Sequence, residues 1–126
     1  MTYSQQIEKA ANHAELHIVG VKLYNAKNMP EEKRNALIKL YRERRRVLDR
    51  AMVETTTNSA LKRALYAINT MAKHGTVEVA KTGKSIYDLT KAGILDKFES
   101  DLCFRAYRRQ KAKAGITFGH EGQATA

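Results

Sequence analysis

The only proline of this chain, Pro30, stands at the head of the run EEKRNALIKLYRERRRVLDRAM, and that placement constrains the fold more than any other feature. A proline's fixed φ and missing N–H are harmless in the first turn of a helix and disruptive further in. Asn28 precedes it, Glu31 and Glu32 suit the positive end of a helix dipole, and strong helix formers fill the rest of the run. The segment predicts a long helix that buries Leu37, Ile38, Leu40, Tyr41, Val47, Leu48 and Met52. Before it, Ile7, Ala11, Ala14, Ile18 and Val21 recur at helical steps and predict one face of a first helix over 4–27. Leu16, Val19 and Leu23 widen that apolar region, so the helix is expected to touch neighbours on two sides or to pair with a second copy, giving a homodimer. Gly20 lies inside the pattern, where glycine costs about 1 kcal/mol relative to alanine unless it permits close packing.

The run Glu54-Thr55-Thr56-Thr57-Asn58-Ser59 interrupts this periodicity with side chains that bond local backbone, which marks a helix boundary. Thr57 or Asn58 is expected to cap a third helix, 57–74, buried through Leu61, Leu65, Ile68 and Ala72 with Met71 alongside. Gly75 suits a positive φ and a helix stop. Beyond it Val77 and Val79 alternate with Thr76 and Glu78, Thr82-Gly83 offers a turn, and Ile86, Tyr87 and Leu89 supply apolar mass on a return strand. The prediction for 76–90 is a β-hairpin with Lys81 and Lys84 at its tip, packed on the helices because two strands alone are marginal.

A helix ending at Gly75, a basic hairpin, and a closing Tyr87-x-Leu89-Thr90-x-x-Gly93 resemble the winged helix-turn-helix proteins. The resemblance implies a fold that is mainly α with one β-hairpin: four helices and a wing-like hairpin. It also implies DNA binding, with helix 57–74 in the major groove and the hairpin as a wing. On that helix Lys62, Tyr66 and Asn69 share a face with Arg63 beside it, and Ser59 lies at its N-terminal end. Lysine and arginine donate to guanine edges and asparagine pairs with adenine. Recognition helices present their N-terminal part to bases, which favours Ser59, Lys62, Arg63 and Tyr66.

After Gly93 the helical period resumes with Leu95, Phe98, Leu102 and Ala106, flanked by Ile94, Phe104 and Tyr107. The last turns carry Arg105, Arg108, Arg109, Lys111 and Lys113 with no acid between Leu102 and Ala114, more cation than a helix C-terminus requires. They are expected to contact phosphates. The long helix carries a second positive flank of Arg42, Arg45, Arg46 and Arg50, with Lys39 nearby. Of these, Arg42, Arg45 and Arg46 are the expected phosphate contacts, although Glu43 and Asp49 stand within pairing distance of those arginines. The resulting domain spans 1–114, and GITFGHEGQATA, over 115–126, reads as a flexible tail in which Ile116 and Phe118 could dock.

Lysine and arginine total 23 against 13 acidic residues, a formal charge of +10 that favours a polyanionic partner. The opening residues lack a secretory pattern and no apolar run is long enough to span a bilayer, so a cytoplasmic location without membrane contact is expected. Cys103 has no partner for a disulfide and reads as a core residue rather than a nucleophile. His13 and His17 share helical spacing, but Ala14 stands where a zinc protease pattern needs glutamate, so no metal or other cofactor is expected. Lys81-Thr82-Gly83-Lys84-Ser85 ends like a phosphate-binding loop, yet Glu78 occupies the place of its first glycine, which argues against nucleotide hydrolysis. With no catalytic constellation in view, the chain is expected not to be an enzyme. The reading that follows is a small basic DNA-binding protein, a transcriptional regulator or replication accessory factor. The alternative is a non-enzymatic inhibitor or adaptor docking on a larger enzyme such as RNA polymerase or a nuclease complex, and RNA is a third candidate partner.

Overall fold

The computed structural model describes residues 1–116, so Phe118 and His120 and most of the expected tail lie outside the described residues. Among the described residues six α-helices and one 3₁₀ turn follow in the order α1 (Tyr3–Lys9), α2 (His13–Asn25), α3 (Glu31–Thr55), α4 (Ser59–Thr70), the 3₁₀ turn Met71–His74, α5 (Thr76–Lys91) and α6 (Lys97–Lys113). They fall into two compact units, Met1–Thr55 and Thr56–Ala126, each with its own core.

In the first unit, what the sequence predicts as one helix over 4–27 is two. Ala10 ends α1, and its carbonyl, turned out of the helical ladder, accepts from Arg44 Nε at 3.1 Å and Nη2 at 2.8 Å. Asn12 then caps α2 by accepting from the Glu15 N–H. The break rotates the second segment, so the expected face of Ala11, Ala14, Ile18 and Val21 is exposed or partly so, while Leu16, Val19 and Leu23 enter the core with Ile7, Leu37 and Leu48. Helix α3 begins where Pro30 predicts, the Pro30 carbonyl accepting the first ladder bond from Arg34 at 3.0 Å. His13 Nε2 meets Asp49 Oδ1 at 2.7 Å, which fastens the start of α2 to the last third of α3.

The second unit has no strand among the described residues, and the expected hairpin over 76–90 is helix α5. Its buried positions Val79, Thr82 and Ile86, with Gly83, Leu89 and Thr90 half-buried, follow the helical rather than the strand period. Two of the apolar residues that suggest strands, Val77 at 68% exposure and Tyr87 at 54%, point to solvent. Two threonines take the place of apolar residues on the inward face, because each hydroxyl is satisfied within the helix: Thr82 donates to the Glu78 carbonyl at 2.9 Å and Thr90 to that of Ile86 at 2.8 Å. Gly75, at φ 95°, does stop the preceding turn, but a helix follows it. The Tyr-x-Leu-Thr-x-x-Gly pattern is the end of α5. There Ile94 N–H bonds the Leu89 carbonyl and Gly93 N–H that of Thr90, a reciprocal helix stop that needs the φ of 76° at Gly93. The winged-helix outline is therefore replaced by an all-helical unit.

Helix α6 packs against α4 and α5 through Leu102, Cys103, Ala106 and Tyr107. Asp96 and Glu99 form a reciprocal cap at its start. Asn58, one of the two residues expected to cap α4, accepts from Ala60 N–H and donates to Glu99 and to the Ile94 carbonyl, so the first turns of α4 and α6 are tied at one point.

Candidate nucleic-acid interface

A cation matters to a polyanion when it is exposed and not already paired, and the residues singled out from the sequence divide sharply on that criterion. On α3, Lys39, Arg42, Arg46 and Arg50 lie at steps of three and four and form one strip along the helix. All four are exposed and none makes a hydrogen bond or ion pair among the described residues. Asp49, which the sequence offers as their internal partner, is only 17% exposed and is taken by His13 instead. Glu43 remains on the edge of the strip beside Lys39, Arg42 and Arg46. Eleven residue steps at about 1.5 Å each carry the strip over about 17 Å. Arg45 differs from its neighbours: half-buried, it stands over the Tyr41 ring with 5.9 Å to the centroid.

In the second unit Ser59, Lys62, Arg63, Tyr66 and Asn69 all lie on the outward side of α4, as the 3.6-residue period places them, opposite Leu61, Ala64 and Ile68. Tyr66 is 72% exposed. Asn69 Oδ1 accepts from Gln110 Nε2 at 3.4 Å, which joins this face to the turn of α6 that bears Arg109 and Lys113. Arg108, Arg109 and Lys113 are exposed and unpaired among the described residues. Arg105 is not available in this way, because Asp101 holds it at 2.8 Å and only 11% of its side chain is exposed. Lys111, from the same basic run, is buried with its Nζ 5.1 Å from the centroid of the Tyr107 ring.

Lys81 and Lys84, expected at the tip of a wing, sit on consecutive turns of α5. Lys81 faces the shallow cleft with Ala64 and Ala67 of α4, next to Glu78. Lys84 lies 3.5 Å from Asp88, an exposed pair four residues apart on one helix and of small energetic weight. The Lys81–Ser85 segment thus has no free loop with which to enter a groove or cradle a phosphate.

Cys103 is fully buried, and its thiol pKa is pushed up to about 11, first by desolvation and then by the charge of Glu99. Among the described residues no group of three or more His, Cys, Asp or Glu side chains could hold a metal ion. Nor, among them, is any helix long and apolar enough to cross a membrane.

Lys39 and Arg50, which the sequence offers only as part of a general positive flank, are the two ends of the α3 strip, and the helical period alone is enough to set them in line with Arg42 and Arg46. Arg34 carries no such signal: it turns back from the start of α3 onto the carbonyls of Leu23 and Ala26, a long-range contact that no local pattern announces. Comparison with protein-family models, with curated proteins and with solved structures finds no match to this chain.

Proposed function

We propose that this chain is a cytoplasmic nucleic-acid-binding protein, with duplex DNA as its ligand, that grips the phosphate backbone through the α3 strip. The observation that carries the reading is that Lys39, Arg42, Arg46 and Arg50 are exposed, aligned and unpaired among the described residues. A length of about 17 Å along the duplex axis presents about ten phosphate charges, so the strip meets a complementary field over its whole length. The outward face of α4, with Lys62, Arg63 and Tyr66, is the surface proposed to touch base edges, and Arg108 and Arg109 add further phosphate contacts. Regulation of transcription or assistance to replication are the roles such binding would serve.

The test is fluorescence polarisation of labelled mixed-sequence duplex across a series of salt concentrations. Neutralising four phosphates gives a slope of log K against log salt of about −3.6 for the strip alone. Arg42→Ala with Arg46→Ala should reduce the slope by about two units and weaken all sequences alike, whereas Lys62→Ala or Arg63→Ala should alter sequence preference. Absence of binding at about 50 mM salt, where electrostatic binding is strong, overturns the proposal. So does a slope that the double substitution leaves unchanged.

A further inference from the structure

Helix α2 carries two apolar stripes. Leu16, Val19 and Leu23 are buried in the first unit, while Ile18, Val21 and Tyr24 are exposed, Tyr24 to 85%. The second stripe exceeds what the core uses. Its Val21 and Tyr24 border a groove of about 640 Å³ between α2 and α3, floored by Leu23, Ile38 and Tyr41. Gly20 sets that floor. A Cβ there would stand 2.8 Å from Tyr41 Cε2, so only glycine lets the ring lie against the α2 backbone, and the close packing offsets its poor helix propensity. The groove is thus shaped by the fold itself.

We propose that this groove receives an amphipathic helix of a partner protein, one with an apolar face and carboxylates along its flanks. Along α3 the groove runs from Arg34 to Arg45, about 17 Å or three helical turns, which matches anchors at i, i+3, i+4 and i+7. Its charged lining is cationic: Arg34, Arg42 and Arg45, with no carboxylate among the described residues. Arg34 is held in place by donating to the carbonyls of Leu23 at 2.8 Å and Ala26 at 2.6 Å, which fix its position without neutralising it. Arg42 is exposed and unpaired among the described residues. A second copy of this chain would set these arginines against their own images, and a nucleic acid would match the rim but leave the apolar floor uncovered. An acidic amphipathic helix satisfies both at once. The groove shares Arg42 with the α3 strip but not Lys39, Arg46 or Arg50, and its occupancy does not require DNA binding.

The experiment is a selection from displayed helical peptides, randomised among Leu, Ile, Phe and Met at i, i+3, i+4 and i+7 and among Glu, Lys and Ser on the flanks. Enriched binders should carry glutamate on the flanks. A synthetic copy of one should lose about tenfold in affinity for the Tyr24→Ser protein, in keeping with removal of an aromatic anchor. Arg42→Glu should shift preference to the same peptide with lysine flanks. Both side chains are exposed, so the variants keep their helical circular dichroism. Tyr24→Ser leaves duplex DNA binding unchanged and Arg50→Ala leaves peptide binding unchanged, which separates failure of this proposal from failure of the nucleic-acid reading. No enrichment, enrichment of lysine or serine flanks, or binders indifferent to Tyr24→Ser overturns it. A dimer in sedimentation that Tyr24→Ser dissolves assigns the groove to a second copy, and duplex binding that Tyr24→Ser weakens assigns it to nucleic acid; either overturns it as well.

Discussion

Replacing Gly83 with alanine sets two well-characterised effects against each other at a single atom. In an open helix the substitution stabilises by about 1 kcal/mol, since alanine has the higher helix propensity. Here the added Cβ would lie 2.7 Å from Tyr107 Oη and 2.9 Å from its Cζ. Tyr107 is only 3% exposed and its hydroxyl donates to the Val79 carbonyl at 3.0 Å, so the ring has little freedom to retreat. Overpacking of this kind costs about 1–3 kcal/mol, and a displaced buried hydroxyl that loses its acceptor costs a similar amount. Part of the two penalties is one displacement counted twice, which leaves a net destabilisation of about 1–3 kcal/mol once propensity is subtracted. Native-state hydrogen exchange is the suitable assay, because it reads the α5 and α6 amides of the second unit separately from the first. Tyr107→Phe alone should cost about 1 kcal/mol, and Gly83→Ala in that background should cost less than in the parent, a coupling of at least about 0.5 kcal/mol between touching residues. If Gly83→Ala raises protection of α5 by the amount propensity alone predicts, the close contact does not exist and the packing of α6 on α5 is refuted.

Arg44→Ala should remove about 1.5–3 kcal/mol of protection from α1 and α2 in the same assay, because the Ala10 carbonyl then loses a charge-assisted bond with little access to water. Asp49→Ala should lower the stability of the first unit by about 1–2 kcal/mol by leaving His13, 10% exposed, without that acceptor; a value near zero would show the pair to be incidental. Cys103 should resist a thiol reagent at pH 8 in the folded protein and react at once in denaturant, a rate ratio of about a hundredfold or more, since the thiolate is the reactive form. Its raised pKa also fixes a pH dependence: the stabilising preference for the neutral thiol is complete below the unfolded value near 9 and fades as pH rises toward about 11, so Cys103→Ser should flatten the alkaline limb of the stability curve.

The long helix and its charge are legible in the sequence because each rests on local rules. Pro30 starts α3, Asn58 caps α4, and Gly20 makes the close approach that excuses its place in a helix. What local rules miss is where a long-range partner intervenes. The break at Ala10 depends on Arg44, which is 34 residues away and supplies the acceptor's missing donor. The α5 segment reads as a hairpin for a related reason: its inward face holds Thr82 and Gly83, residues that count as turn formers until Glu78 accepts the threonine hydroxyl and Tyr107 fills the space over the glycine. With those two positions scored as inward, the helical period of the segment is continuous from Val79 to Ile86.

The same distinction separates the charges that serve the fold from those left for a partner. From the sequence, Arg105 and Arg109 are equivalent members of one basic run, and Arg45 and Arg46 of another. Structure divides each pair by what each side chain meets: Arg105 is held by Asp101 and Arg45 stands over the Tyr41 ring, whereas Arg46, with Glu43 beside it, and Arg109 make no hydrogen bond or ion pair among the described residues. A count of basic residues therefore overstates the field a ligand meets, while the surviving cations are more ordered than the count suggests, since on α3 they fall on one line. That order is why the double substitution of Arg42 and Arg46 is expected to act on the salt dependence of binding far more than on folding. Both side chains project from a helix whose core contacts are made by Leu37 and Leu48, on positions that neither substitution touches. If the variant instead unfolds the first unit while the parent binds no polyanion, the strip is a structural feature of α3 and the proposed function fails with it.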